Sequence, residues 1–161
     1  MNIDFSTCSF NTKAFSLNGY NTKGRLVDII DGDSLHIVLP MNFSIKEQTK
    51  DSLYFYKYNI RLFGIDTCEL KSKNDENKKL GIQARNKLLE LVLNKGYDKD
   101  VSKKDIKEIL ENNIVIVFVE CLDFDKYGRL LANVYFEKDN NKINFSEYLL
   151  SNHLAYKYTG G

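Results

Sequence analysis

Five charged side chains have the types and the order needed to act on a phosphodiester. Asp33 and Asp66 are hard oxygen donors of the kind that Ca²⁺ or Mg²⁺ prefers. Arg61 and Arg129 can each present paired N–H donors to a phosphate, which a lysine cannot. They are two of only four arginines, against 19 lysines. Glu69 is a further carboxylate able to take a proton from water. A cation, two guanidiniums and a base together meet the needs of phosphodiester hydrolysis. The diester is anionic and repels hydroxide, and its transition state gathers charge on oxygens that fixed cations stabilise.

Each group also has a plainer explanation taken alone. Asp31-Gly32 between apolar runs is the favoured hairpin dipeptide. Arg61, at the end of an aromatic run and followed by Asp66 and Glu69, suits a surface ion pair. Asp125-Lys126-Tyr127-Gly128-Arg129 suits a tight turn with solvated charges, and Leu154 to Tyr158 suits the packing of a helix end. His36, within an expected strand, and His153 read as structural or exposed. No phosphate-binding glycine loop or dinucleotide fingerprint is present.

Positioning these groups requires a scaffold, and the hydrophobic pattern supplies one. Gly24 to Ile30, Ser34 to Leu39, Leu53 to Leu62, Ile114 to Leu122 and Arg129 to Phe136 read as five strands. Met41 to Asp51 reads as a polar loop and Asp66 to Asn77 as a charged one. Lys78 to Leu93 has helical spacing with Gly96 as its stop, Ser102 to Asn112 a shorter helical pattern, and Asn144 to Ser151 a final helix capped by Asn144 with Glu147 three residues on. Three strands, a helix, two strands and a helix predict an α+β, mainly β protein: a five-stranded barrel of oligonucleotide-binding (OB) type with two to three helices. Residues 1–22 are expected to form an N-terminal arm, with Phe5, Phe10 and Phe15 available to anchor it, ahead of one domain over 23–161.

Composition narrows the classes. The 161 residues carry 23 basic and 22 acidic groups, a net charge of +1, which excludes a polycation that coats nucleic acid. Cys8, Cys68 and Cys121 are odd in number and widely spaced, against a disulfide framework. No apolar run is long enough to span a bilayer and no signal-peptide pattern is read, so an intracellular monomer without a membrane partner is expected.

Asp31-Gly32-Asp33-Ser34, then Arg61 through Asp66-Thr67-Cys68-Glu69, then Asp125-Lys126-Tyr127-Gly128-Arg129, resemble the staphylococcal-nuclease-like (thermonuclease) family in order and spacing, over about Gly24 to Tyr158. The resemblance implies a Ca²⁺-dependent nuclease that cleaves DNA and RNA with little sequence preference and leaves 3′-phosphates. It implies Ca²⁺ on the carboxylates of Asp33 and Asp66 and on the main-chain carbonyl of Thr67. Glu69 becomes the general base, Arg61 and Arg129 hold the phosphate, and Lys126, Tyr127, Tyr156 and Tyr158 line the nucleotide pocket. Cys68 stands where the family usually has Pro, which frees φ and could loosen the loop that holds Thr67 and Glu69. Residues 97 to 112 look like an insertion. The contrasting expectation is a weak or inactive OB module that binds nucleic acid or protein without cutting.

Overall fold

The computed structural model describes residues 2–44, 46, 52–96 and 101–159. Parts of the expected Met41–Asp51 loop and of the expected insertion lie outside these. The elements run β1 (Asn21–Asp31), β2 (Ser34–Met41), β3 (Tyr54–Leu62), β4 (Ile65–Asp66), α1 (Asp75–Leu93), α2 (Lys103–Asn112), β5 (Val115–Phe124), β6 (Leu130–Lys138), β7 (Asn141–Asn144), α3 (Phe145–Ser151) and β8 (Tyr156–Lys157).

Strands β3, β2, β1, β5 and β6 pair in that order, antiparallel throughout. Parallel pairing of β3 with β6, with Ile60 opposite Leu130 and Leu62 opposite Ala132, closes the sheet into the expected barrel. Alternation explains the closure. In β5, Val115, Val117, Val119 and Cys121 face the core, while the residues between them face outward. Leu88 and Leu89 of α1 and Phe145 and Leu149 of α3 are fully buried and stopper the interior. Burial pushes the Cys121 thiol up to about 11. No helix among the described residues is long and apolar enough to cross a membrane.

Several element boundaries differ from expectation. Helix α1 starts at Asp75, because the Asn74 side chain accepts from the main-chain N–H groups of Glu76 and Asn77. It ends at Asn94, which takes the left-handed conformation (φ 52°) that Gly96 was expected to supply. Ser102 and Asp105 form a capping box that starts α2. The Asp139–Asn140 turn, both residues at positive φ, folds β7 back on β6. Arg129 lies in the turn just before β6, not in the strand.

The segment before β1 is tied to the barrel at its end. Leu17 is buried, the main-chain N–H of Gly19 donates to Cys121, and Phe15 stacks on Phe124 at 6.3 Å. Phe5 and Phe10 are exposed.

Candidate functional site at one rim of the barrel

The site is assembled from the β1–β2 turn, the end of β3, β4 with the residues after it, and the C-terminal strand β8. Asp31 pairs with Ser34 across the hairpin, leaving Gly32 and Asp33 as the turn. The main-chain N–H of Asp33 donates to a carboxylate oxygen of Asp31 at 3.2 Å, which tightens the turn. Gly32 is required for space. A Cβ there would lie 2.7 Å from the Ala84 methyl on α1 and 2.8 Å from Thr67. The hairpin expected from Asp31-Gly32 is present, but because the φ of Gly32 is outside the left-handed region its glycine answers to close packing and not to a positive φ.

Asp33 is thereby aimed at the loop after β4. Its Oδ2 accepts the main-chain N–H of Thr67 at 3.0 Å and lies 3.2 Å from Nη1 of Arg61. The other arm of the guanidinium, Nη2, donates to Oδ1 of Asp66 at 3.2 Å. Arg61 is only 8% exposed, and Nη1 also donates to the carbonyl of Leu62. One guanidinium therefore spans two carboxylates drawn from separate elements. Tyr156 donates from its hydroxyl to Oδ2 of Asp66 at 3.1 Å. The ring of Tyr158 covers Arg61, with the guanidinium carbon 5.9 Å from its centroid.

The electrostatics follow from this crowding. Burial, then the hydrogen bond and charge of Asp31, raise the Asp33 carboxyl above its ordinary value, against the pull of Arg61. Burial, then the contact with Asp33, raise Asp66. Ionised together, the two carboxylates repel each other, and added positive charge between them relieves that repulsion. The donor set is all hard oxygen, which fits Ca²⁺ or Mg²⁺. Among the described residues no three His, Cys, Asp or Glu side chains converge as a complete cage. A cation at this rim would take its remaining oxygens from main chain and water.

Arg129 is organised separately. Its Nε donates to Oδ2 of Asp125 at 2.8 Å, and its main-chain N–H donates to Oδ1 of the same carboxylate at 2.9 Å. Although burial acts to raise Asp125, the N–H groups of Arg129 and Tyr127 and the adjacent guanidinium hold its carboxyl below the usual value. Arg129 also lies over the exposed Tyr127 ring at 5.6 Å, with Lys126 on that ring at 5.2 Å. Leu130, the next residue, pairs with Ile60. The two arginines are thus carried by the neighbouring chain segments that close the barrel.

Glu69 is exposed, and its side chain makes no hydrogen bond or ion pair with described residues. Its backbone is placed by a feature that the sequence reading passed over. A Cβ on Gly81 of α1 would sit 2.5 Å from the carbonyl oxygen of Cys68 and 3.2 Å from the carbonyl carbon of Glu69. The Cys68–Glu69 segment is therefore laid directly on the helix, a restraint that does not depend on a proline. Only a lone glycine within a helical pattern hinted at this. His36 pairs with Asp28 at 3.7 Å on the hairpin, and His153 is exposed; neither joins these clusters.

The barrel and its rim define an OB-type fold of the staphylococcal nuclease kind. The sequence model for the family described as staphylococcal nuclease homologue matches residues 59–160. The chain is also 27% identical over 160 residues to the uncharacterized protein MJ1439 of Methanocaldococcus jannaschii, covering 92% of this chain and 70% of that protein. The chain belongs to the staphylococcal nuclease homologue family. The family match starts at Asn59, so it takes in Arg61, Asp66, Glu69 and Arg129 but not Asp33, which reaches the site through the hairpin.

Proposed function

We propose that the protein is a Ca²⁺-dependent nuclease that hydrolyses DNA and RNA with little sequence preference. The observation that carries this reading is the Asp33–Arg61–Asp66 cluster. It gathers two carboxylates around one guanidinium, with Asp33 and Arg61 buried and Asp66 partly open to solvent, an arrangement whose desolvation is costly.

Asp33 and Asp66, with the main-chain carbonyl of Thr67, are the groups that would hold Ca²⁺, which supplies positive charge to the attacked phosphoryl group and its water. Glu69, two residues beyond Thr67 and open to solvent, takes the proton of the water that attacks phosphorus in line. Arg61 and Arg129 hold the phosphate oxygens, with Arg129 beside the departing 5′ oxygen, so the product keeps a 3′-phosphate. Tyr127 and Lys126, with Tyr156 and Tyr158, face the nucleotide, and aromatic faces accept any base. Exposed Lys71, Lys73, Lys78 and Lys79 attract the polyanion, partly offset by Asp75 and Glu76.

The test is a cleavage assay on single- and double-stranded DNA and on RNA with Ca²⁺, Mg²⁺ or chelator. Cleavage with Ca²⁺, less with Mg²⁺ and none with chelator is expected. Binding that ignores chelator, with no product at any Ca²⁺ concentration, would instead establish a non-cutting OB module.

A further inference from the structure

The C-terminal segment is placed to do more than line a pocket. Strand β8 pairs with β4, setting Tyr156 opposite Asp66 and Lys157 opposite Ile65. The main-chain N–H of Tyr158 donates to the carbonyl of Gly64 at 3.0 Å. On the other side of the β3–β4 turn, the Ser146 hydroxyl of α3 donates to the carbonyl of Phe63 at 3.0 Å. The short turn between Arg61 and Asp66 is thus held from both sides by the last part of the chain. Two contacts then reach the charged groups themselves: the Tyr156 hydroxyl on Asp66 and the Tyr158 ring on Arg61.

We propose that Tyr156 is a positioning residue of the cation site, its hydroxyl fixing the orientation of the Asp66 carboxylate while β8 secures the strand that carries it. This inference rests on the nuclease reading, because it takes Asp33 and Asp66 as the cation-binding pair. The chemistry is that of an outer partner to a ligand. The hydroxyl occupies Oδ2 of Asp66, Arg61 occupies Oδ1, and the carboxylate plane is set by the two donors. A carboxylate so held loses little rotational freedom when it meets a cation. One left free must be ordered at that moment, and removal of such partners typically weakens metal binding about 10–100-fold.

The experiment is calorimetric titration of the full chain with Ca²⁺ alone, without nucleic acid, for wild type, Tyr156→Phe and Tyr158→Phe. Each variant loses one hydroxyl, but only that of Tyr156 touches Asp66. Wild-type binding, a Kd raised about tenfold or more in Tyr156→Phe, and an unchanged Kd in Tyr158→Phe are expected. Amide exchange at Tyr158 should keep its protection in Tyr156→Phe, which separates loss of the hydroxyl from loosening of β8. Wild-type affinity in Tyr156→Phe overturns the positioning role and leaves the nuclease reading standing. Equal weakening in both variants also overturns it. Absence of Ca²⁺ binding by the wild type removes the nuclease reading, and this inference with it.

Discussion

Nη1 of Arg61 lies 3.2 Å from Oδ2 of Asp33, the same oxygen that accepts the Thr67 amide. The arginine proposed to hold phosphate and the proposed cation ligand are therefore already in contact, and they act on each other. Arg61→Ala is expected to cut kcat by about 10²–10³-fold. Arg61→Lys should recover little, because a single ammonium cannot span Asp33 and Asp66 as the fork does. Ca²⁺ affinity should hold or tighten in Arg61→Ala, since a competing positive charge beside both carboxylates is gone. Unaltered cleavage by Arg61→Ala would show that phosphate is held elsewhere.

Glu69 contrasts with Arg61 because its side chain makes no hydrogen bond or ion pair with the described residues. Substitution at an exposed, unpartnered side chain usually changes stability by no more than about 0.5 kcal/mol. Glu69→Gln should therefore melt with the wild type and yet lose about 10²–10⁴-fold in kcat, the usual worth of a general base. Melting curves and single-turnover rates measured together check this. Wild-type turnover in that variant would move the base to another group.

The raised carboxyls set a pH dependence with a definite sign. Burial, joined by the hydrogen bond and charge of Asp31 at Asp33 and by the contact with Asp33 at Asp66, makes the two carboxyls hold their protons more tightly in the folded protein than in the unfolded chain. Stability of the Ca²⁺-free protein should then fall as pH rises from about 4, the ordinary aspartate value, through the raised values, and level off above them. If Ca²⁺ is held by the ionised pair, as proposed, the gain in Tm from saturating Ca²⁺ should be small near pH 4 and grow toward neutrality. Calorimetric scans with and without Ca²⁺ across that range test it. In Asp33→Asn the growth should shrink; a gain independent of pH in the wild type would argue against this cation site.

The parts of the site visible in sequence were those that depend on local signals. The barrel strands announce themselves by alternation, and the turn containing Asp33 by its Asp-Gly step. Asp125 and Arg129 sit four residues apart, so their pairing is a property of one turn. What stayed hidden depends on contacts between distant segments. Strands β4 and β8 are two residues each and carry no periodicity, yet their pairing brings Tyr156 to Asp66 across 90 positions. Asn74 and Asn94 cap α1 with side-chain and backbone geometry that many asparagines do not adopt. Gly81 carries no local signal either, because nothing near it in sequence shows that the Cys68 carbonyl rests on it.

That last contact yields a prediction opposite to helix propensity. Glycine to alanine within a helix ordinarily gains up to about 1 kcal/mol. At Gly81 the added methyl would meet main-chain atoms of Cys68 at 2.5 Å, and backbone cannot rotate aside. Gly81→Ala should destabilise by about 1–3 kcal/mol, as overpacking does, or displace the loop that carries Thr67 and Glu69. A displaced loop lowers kcat without removing any charged group. Denaturant unfolding and kcat measured on the same preparation should show at least one of the two losses. A variant more stable than the wild type and equally active would mean the loop is not seated on α1.

Asp125 tests whether Arg129 needs its own holder. The carboxylate accepts from the Nε and main-chain N–H of Arg129 and from the N–H of Tyr127. With its pKa lowered in the fold, it contributes stability above the ordinary aspartate range, lost as pH falls through the depressed value. Asp125→Ala should cost about 1–3 kcal/mol, the worth of hydrogen bonds to a charged group. It should also free the guanidinium to swing, lowering kcat at saturating Ca²⁺ while leaving Ca²⁺ affinity as it was, because no hydrogen bond or ion pair among the described residues joins this turn to Asp33 or Asp66. Asp125→Asn, which keeps acceptor oxygen but loses the charge, should fall between. Full activity in Asp125→Ala would show that the phosphate alone is enough to hold Arg129 in place.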